Sequence, residues 1–381
     1  MAPVRILHCQ STFSLGGKEA RAVRLMNAFG DRADHTVLSA MPDKLGAREA
    51  IAKGVSVDFP RDAPPLTGPP NPARLWRLAR YMRGFDLVLT YNWGAFDAVM
   101  ARRLYARFLK LPPLIHHEDG FNQDEAVRTN PKRDRYRRLG LPAAAALVVP
   151  SARLEAIARE AWGRAAVRIP NGIPVARFAG PPVDDIPGLE RRPGEVVIGT
   201  AAGLRPVKNL PRLVRAAAAM TNKAARLVIV GEGPESEAIA AQARASGIAA
   251  RLVMPGFLAN PARWIGRFDI FALSSDSEQF PISLIEAMAA GLPAVATEVG
   301  DVSAIVSSDN RPLIVAPQDE AAFSAALDSL VDRADLRRAI GLANREKAAA
   351  EFDEIPMIQR YARLYGEAIG RPETFMQAQF A

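Results

Sequence analysis

The sequence predicts an α/β protein of two tandem domains, each an open parallel sheet wound with helices on both faces, set across a cleft. Three observations carry this. The chain has 381 residues, more than one comfortable core. Apolar β-rich runs alternate with Arg/Ala/Leu-rich helical stretches, the mark of parallel strands joined by helices. The alternation lapses once, at "AGPPVDDIPGLERRPGE", and then restarts.

In chain order, the first domain opens with "VRILHCQS", a glycine turn "LGGKE" and helix-like "ARAVRLMNAFGD". Strand candidates follow at "HTVLSA", "FDLVLTYN", "PLIHHED" and "ALVVPS". This assigns 1–175 to one domain and 176–194 to a linker rich in Pro and Gly. The second domain, 195–352, offers "VVIGTAAGL", "RLVIVGEGP", "RLVMPGF", "DIFALSS", "PAVATEVG" and "PLIVAP" as strand starts. Residues 353–381 are expected as a C-terminal helix and tail, with a return to the first domain as one option and the last ten or so residues loose. Ligands of open parallel sheets sit at the carboxyl ends of the strands, so a cleft lined by two sets of strand ends is the expected site.

Composition narrows the function. Half the residues are apolar and a quarter charged, and no apolar run approaches the ~20 residues that span a bilayer. The start does not read as a secretory signal, and the single cysteine, Cys9, leaves no intramolecular disulfide; a reducing, cytoplasmic setting is expected. The net charge is +8, unevenly placed. Up to Asp185 there are 28 Lys and Arg against 18 Asp and Glu; the remainder has 21 against 23. Only the first half is expected to meet an anionic partner.

The stretch "SEQFPISLIEAM" raises the sharpest chemical question. A helix is predicted over 281–290, with Pro281 at its first position, Glu278 in the preceding loop and Glu286 inside it. The free N–H groups and dipole of such a helix attract an anion, and a carboxylate suits vicinal hydroxyls of a sugar or ribose. A loop charge and a solvated helix residue are the plainer alternatives. In "GTAAGLRPVKNL", Arg205 and Lys208 stand at a strand–helix turn where two cations would neutralise a diphosphate, or merely face solvent. Gly231 and Gly233 in "VIVGEGPES" permit close backbone approach without completing a dinucleotide fingerprint, and "LGGKE" fails as a P-loop. His116 and His117 end a strand; one is expected to pack and the other to face the strand-end crevice. No metal-ligand constellation is present, and adjacent strand residues diverge too far to share an ion.

Together these pieces resemble the retaining, sugar-nucleotide-dependent glycosyltransferases of the GT-B fold, family 4, with its two Rossmann-like domains. "GGKEARAVRLMNAF" is similar to that family's N-terminal glycine loop and helix, "HHEDG" to its histidine segment, and "PNGIPVARF" to its PNG-x-D segment. "GLRPVKNL" resembles its phosphate turn, "VIVGEGP" its GDGP block, and "SEQFPISLIEAMAAGLPAVAT" its E-x7-E block. The resemblance implies a C-terminal domain that holds the sugar nucleotide, UDP- or GDP-linked, and an N-terminal domain that holds the acceptor. It implies donor-sugar contacts from Glu278, ribose contacts from Glu286, and diphosphate contacts from Arg205 and Lys208. Pro255, Gly256 and Phe257 would lie near the base, and the backbone of Phe280, Pro281 and Ile282 near the distal phosphate. Gly16 and Gly17 would approach the donor phosphate and acceptor, and His116, with His117 as alternative, fits the strand-end histidine. No cofactor or metal is implied beyond the co-substrate. There are departures: the usual E-G-F-G is "EQFP", the phosphate-turn Arg aligns with Gly203, and Ile173-Pro174 replaces I/V-D.

A sugar-nucleotide hydrolase or epimerase is the alternative for the same cleft. A basic non-enzymatic binder is disfavoured, since no nucleic-acid module is present. The basic first half has another outlet. "ARLWRLARYMRGF", "ARRLYARFLKLPP" and "PKRDRYRRLG" interleave cations with apolar residues, as helices do that lie on an anionic bilayer or that simply pack with solvated Arg faces. The expected enzyme therefore works at the inner membrane face on a lipid or lipid-linked saccharide.

Overall fold

The computed structural model describes residues 2–14, 16–69, 71–121, 125 and 129–376. The chain divides into two compact units, one running to Gly172 and resuming at Ile355, the other spanning Ile173–Glu354.

The first unit carries seven strands: β1 (Val4–Gln10), β2 (Ala33–Ser39), β3 (Ser56–Asp58), β4 (Leu87–Tyr91), β5 (Leu114–His117), β6 (Ala146–Val149) and β7 (Val167–Arg168). They pair in parallel in the order β3-β2-β1-β4-β5-β6-β7. The second unit has β8 (Val196–Ala201), β9 (Ala225–Val230), β10 (Leu252–Gly256), β11 (Ile270–Leu273), β12 (Ala294–Thr297) and β13 (Ile314–Val315), all parallel, in the order β10-β9-β8-β11-β12-β13. Central strands such as β4, "LVLTY", and β9, "ARLVIV", are buried along their whole length. That is the consequence of helices on both faces, and it explains their continuous apolar runs. The strand order reverses between β1 and β4 in one sheet and between β8 and β11 in the other. Chains leave these neighbours in opposite directions there, opening a crevice at the strand ends.

Helices join the strands: α1 (Gly17–Phe29), α2 (Pro72–Met82), α3 (Phe96–Tyr105), α4 (Pro131–Gly140) and α5 (Ala152–Trp162) in the first unit. The second unit has α6 (Leu210–Ala219), α7 (Ser236–Ala245), α8 (Ile282–Ala289), α9 (Val302–Ile305), α10 (Glu320–Asp332) and α11 (Ala334–Glu351). Side-chain caps fix several starts: Asn71 accepts from Ala73 N, Ser151 from Leu154 N and Asp319 from Ala322 N.

Four expectations change. The stretch 176–194 is not a linker but part of the second unit, because Phe178 and Ile186 bury themselves in its core. The first boundary falls after Gly172 rather than at 175, and the chain leaves the second unit after Glu354 rather than at 352. Strands β3 and β7 escaped prediction because two or three mostly exposed residues carry no readable period. The tail is not wholly loose: Phe375 is fully buried and stacks on Phe29 at 4.5 Å. The last helix, α12 (Glu354–Ala368), belongs from Ile355 onward to the first unit. Its Met357, Ile358, Tyr361 and Tyr365 share a core with β1 and β4, each large side chain contributing about 1.5–3 kcal/mol by burial.

That packing encloses a polar chain. His35 Nδ1 meets His8 Nε2 at 3.0 Å, His8 Nδ1 meets the Tyr91 hydroxyl at 3.3 Å, and Tyr91 stacks on His117. His117 Nδ1 donates to Thr90 O at 3.2 Å, so its Nε2 is the acceptor for the Tyr365 hydroxyl at 2.8 Å. Burial, with Arg21 nearby, pushes His117 down to about 3; burial pushes His35 to about 4 and, with His35 and His117, drives His8 well below its usual 6.5.

These histidines are neutral when folded, whereas the unfolded chain protonates them near 6.5. Their stabilisation is therefore complete above pH 6.5 and is lost as pH falls through 6.5 toward the folded values. Going from pH 7.5 to 5 should cost on the order of 1–2 kcal/mol per histidine, read as a falling denaturant midpoint. Glu19, whose carboxyl is raised by burial, acts in the opposite sense. A midpoint unchanged across that range would contradict buried neutral histidines.

Candidate functional site

The switch point of the second sheet assembles the predicted charges. After β8 the chain turns through 202–208, and after β11 it runs through Ser274–Pro281. Lys208 Nζ forms an ion pair with Glu278 Oε1, and Ser275 Oγ donates to the same oxygen at 2.7 Å. The Lys208 and Glu278 side chains are 15 % and 11 % exposed. Both partners grip Oε1, so Oε2 has no protein partner among the described residues. One carboxylate oxygen is held by two protein donors and the other by none of the described residues. Arg205, on the same turn, is exposed, and its side chain has no ion-pair partner among the described residues.

Backbone bonds tie these turns into one platform. Asp276 N donates to Val207 O at 2.9 Å, and Ser274 Oγ donates to Lys208 O at 3.0 Å. Arg212 holds Asp276 at 2.7 Å and Ser274 O at 2.9 Å, while Thr297 Oγ1 donates to Ser275 O at 2.6 Å. Ser274, Ser275 and Arg212 were missed by sequence reasoning, and Asp276 offered only a weak acidic pair with Glu278. The hydroxyl pair directly before the acidic loop was the available signal.

The glycine turn after β9 backs onto the same platform. Leu204 N donates to Glu232 O at 2.8 Å, and Gly231 N to Gly256 O at 2.9 Å. Gly231 has φ 140°, and a Cβ there would stand 1.9 Å from Ala202 O; at Gly233, φ 155°, it would stand 2.4 Å from Leu204 O. Only glycine allows two turns to touch so closely. Gly203 is exposed beside Arg205, as expected for a position without the usual arginine. Pro255 and Gly256 end β10 next to this turn, and Phe257 is 56 % exposed, with its N–H 3.4 Å from Glu232 Oε1.

Helix α8 begins one residue later than predicted. Pro281 is its N-cap, not its first residue, so the N–H groups of Ile282 and Ser283 open the helix without a side-chain cap. The missing proline N–H therefore costs the helix end less than the sequence suggested. Phe280 packs on Phe352 at 5.7 Å, and Glu286, half-buried, is the fifth residue of α8.

In the first unit Gly16 caps α1, where a Cβ would come within 2.9 Å of Glu19 Oε2, and Gly17 opens the helix. Lys18 pairs with Glu19 and donates to Gln10 Oε1 at 3.1 Å and Thr12 O at 3.0 Å. Buried Arg21 clamps Asp119 at 2.5 and 2.8 Å and Asn171 at 2.9 Å. Burial would raise the Asp119 carboxyl, but Arg21 holds it below its usual range. The clamp joins the "GGKEAR", "HHEDG" and "PNG" segments, which sequence alone left unconnected.

The histidines need correction. Neither His116 nor His117 faces a crevice: they are 1 % and 0 % exposed. Opposite faces of β5 are both covered, His117 by Tyr361 and Tyr365 and His116 by Phe96. His116 Nδ1 meets Thr90 Oγ1 at 2.8 Å, and its Nε2, lacking a hydrogen bond, lies 3.7 Å from Glu118 Oε2. A concave feature of this unit lies elsewhere. A pocket of about 320 Å³ sits at the carboxyl ends of β1 and β4, walled by Ser11, Thr12, Asn92 and Trp93, with Glu125 and Arg137 among its charged residues.

The close approach at Gly231 gives a direct check. Gly231→Ala should destabilise the second unit by more than about 2 kcal/mol, the sum of left-handed strain and a forced backbone shift. Gly247, which has positive φ but open space around it, is the control and should lose about 1 kcal/mol or less on the same change. Equal losses in two denaturant melts would remove the contact from the account.

Comparison with known proteins agrees with this fold. A model of Glycosyltransferase Family 4 matches residues 15–177, and one of Glycosyl transferases group 1 matches 184–347. The chain is 26% identical over 176 residues to N-acetyl-alpha-D-glucosaminyl L-malate synthase of Bacillus anthracis, 46% of each chain. It is 24% identical over 176 residues to the lipopolysaccharide core biosynthesis glycosyltransferase LpsD of Rhizobium meliloti, 46% of this chain and 50% of that one. These matches span about half the length of the curated relatives. The fold is that of Anabaena HepE, solved with UDP and with UDP-glucose: TM-score 0.76, with 19% identity over 95% of this chain and 100% of that one in the UDP complex. With both halves matched and both sheets wound alike, the chain belongs to the GT-B glycosyltransferases of the family 4 type.

Proposed function

We propose that this glycosyltransferase moves a sugar from a nucleoside-diphosphate sugar, UDP-linked or GDP-linked, to a lipid or lipid-linked saccharide in cell-surface glycan synthesis. The observation that carries the reading is the Glu278–Lys208–Ser275 arrangement, with exposed Arg205 on the same turn. Glu278 Oε2 accepts from hydroxyls of the donor sugar. Lys208 and Arg205 neutralise the diphosphate, assisted by the free N–H groups of α8. Glu286 takes the ribose, and the glycine turn with Pro255–Phe257 leaves room for the base. The similarity to HepE, solved with UDP, favours UDP.

In the reaction the bond from the anomeric carbon to the diphosphate breaks, with its electron pair passing to the diphosphate oxygen. The acceptor oxygen bonds that carbon on the same face, and its proton goes to the departing phosphate. Positive charge fixed beside the leaving group lowers the barrier without a metal in this proposal. No protein nucleophile is assigned. His116 and His117 take positioning roles, holding β4, β5 and α12 together.

The first unit supplies a membrane-facing surface in this reading. Phe108 is 76 % exposed, Leu139 54 % and Leu104 45 %, among exposed Arg77, Arg103, Arg107 and Arg138. Trp76 packs on Tyr105 at 5.0 Å, and Arg103 Nε donates to Leu139 O at 3.1 Å, so α2, α3 and α4 form one surface. No helix among the described residues is long and apolar enough to cross a membrane. Exposed apolar side chains within a cationic field suit an anionic bilayer, each cation worth about 1 kcal/mol.

Thermal shift against UDP, GDP, ADP and CMP tests the donor. Ligand at ~100 times its dissociation constant should add about 2.7 kcal/mol of stability. Lys208→Ala should cut turnover by ~10²–10³ while the fold survives. Near-normal turnover would remove Lys208 from the site, and donor consumption without any acceptor would establish hydrolysis or epimerisation instead. Separately, the protein should sediment with anionic vesicles at low salt and be released as salt rises, and Phe108→Asp should weaken that binding. Failure to sediment at low salt would discard the membrane surface.

A further inference from the structure

The pocket at the switch point of the first sheet is wholly within one unit, and its chemistry is selective. Three hydroxyls, from Ser11, Thr12 and Thr67, and the aromatic rings of Trp93 and Phe121 contribute to its wall. Its volume, about 320 Å³, is at the small end of the range for ligand pockets, about 300–1,000 Å³.

The charged groups in its lining are already committed. Arg137 is 1 % exposed and sits 3.2 Å from both Glu118 and Glu125 and 3.6 Å from Asp134. Its guanidinium also lies over Trp93, Phe121 and Trp162, at 5.2, 5.4 and 4.9 Å from the ring centres. Glu125 is shared further, with Arg133 at 2.6 Å and the Asn130 N–H at 2.9 Å. Two cations thus face three carboxylates. A phosphate or carboxylate entering here would find no vacant guanidinium fork among the described lining residues, and Glu125 in the wall itself.

Behind Arg137, Glu118 keeps Oε1 without a hydrogen bond, and His116 Nε2 is likewise unpartnered. Both are buried. Neither residue lines the pocket, so this pair stays behind its wall.

We propose that this pocket binds the acceptor through a neutral, polyhydroxylated ring, a sugar headgroup free of phosphate and carboxylate. This deepens the glycosyl-transfer reading and rests on it. The half-buried edges of Trp93 and Phe121 border the apolar part of the ring, and the hydroxyl side chains take its hydroxyls. Anionic acceptors are rejected because the only guanidinium in the described lining is saturated by its own acids.

Saturation-transfer NMR on the full chain tests this without turnover. The probes are methyl and octyl glycosides of glucose, galactose and N-acetylglucosamine, set against glucose 6-phosphate and L-malate. Saturation should reach the glycosides and not the anions, with octyl above methyl if the sugar is presented on a lipid and equal if it is free. The signal should vanish in Thr67→Trp, which fills the pocket from an exposed rim, or in Met41→Trp from the other rim, with melting unchanged. Anions that match the glycosides, glycosides that give no signal, or a signal that persists in both folded variants would overturn the assignment. UDP stabilisation measured on the same sample reports the second unit, so failure of donor binding is recorded apart from failure of the pocket.

Discussion

Both candidate sites in this chain depend on one topological constraint, the reversal of strand order in a parallel sheet buried on both faces. Between β1 and β4, and again between β8 and β11, successive connections depart to opposite sides. The strand ends at that point cannot be roofed by a connecting helix, so they stay open to a ligand. Both sites described above stand there. The Lys208–Glu278 pair belongs to the β8/β11 reversal, and the 320 Å³ pocket to the β1/β4 reversal.

The two reversals are furnished with opposite electrostatics. At β8/β11 an exposed arginine and a helix start without a side-chain cap leave positive potential unpaired, while Lys208 is held by Glu278. At β1/β4 the cations are consumed: Arg21 by Asp119 and Asn171, Arg137 by Glu118, Glu125 and Asp134. Buried ion pairs of this kind stabilise little relative to apolar packing, because desolvation offsets the attraction. Their effect is to fix where α1, β5 and the 171 segment meet, and to remove free charge from the pocket wall. The excess of arginine in the first half of the sequence is thus divided. Part is spent internally, and part covers α2, α3 and α4, where exposed Phe108 and Leu139 interrupt it.

Rigid glycine contacts complete the platform of turns in the second unit. The turns after β8, β9 and β10 touch backbone to backbone at Gly231 and Gly233, and no side chain intervenes. Such a platform positions Lys208 and Arg205 without depending on flexible side-chain packing beneath them.

The sequence by itself determined the two-sheet α/β architecture, the long strands, the motif residues and the family they resemble. These are local properties: apolar runs buried on both faces, glycines that demand particular turns, and a carboxylate set before a helix start. It also brought Glu278 and Lys208 under suspicion, though not as partners. Only the tertiary structure decided that pairing, which links residues 70 positions apart, and the Arg21 clamp and the His117–Tyr365 bond, which span 98, 150 and 248 positions. It likewise moved the supposed linker into a core and buried both histidines and Phe375. The reason is physical. Periodicity and turn chemistry act over a few residues and are written in order along the chain. Burial, charge pairing and the emptiness of a pocket depend on which distant segments a fold brings into contact.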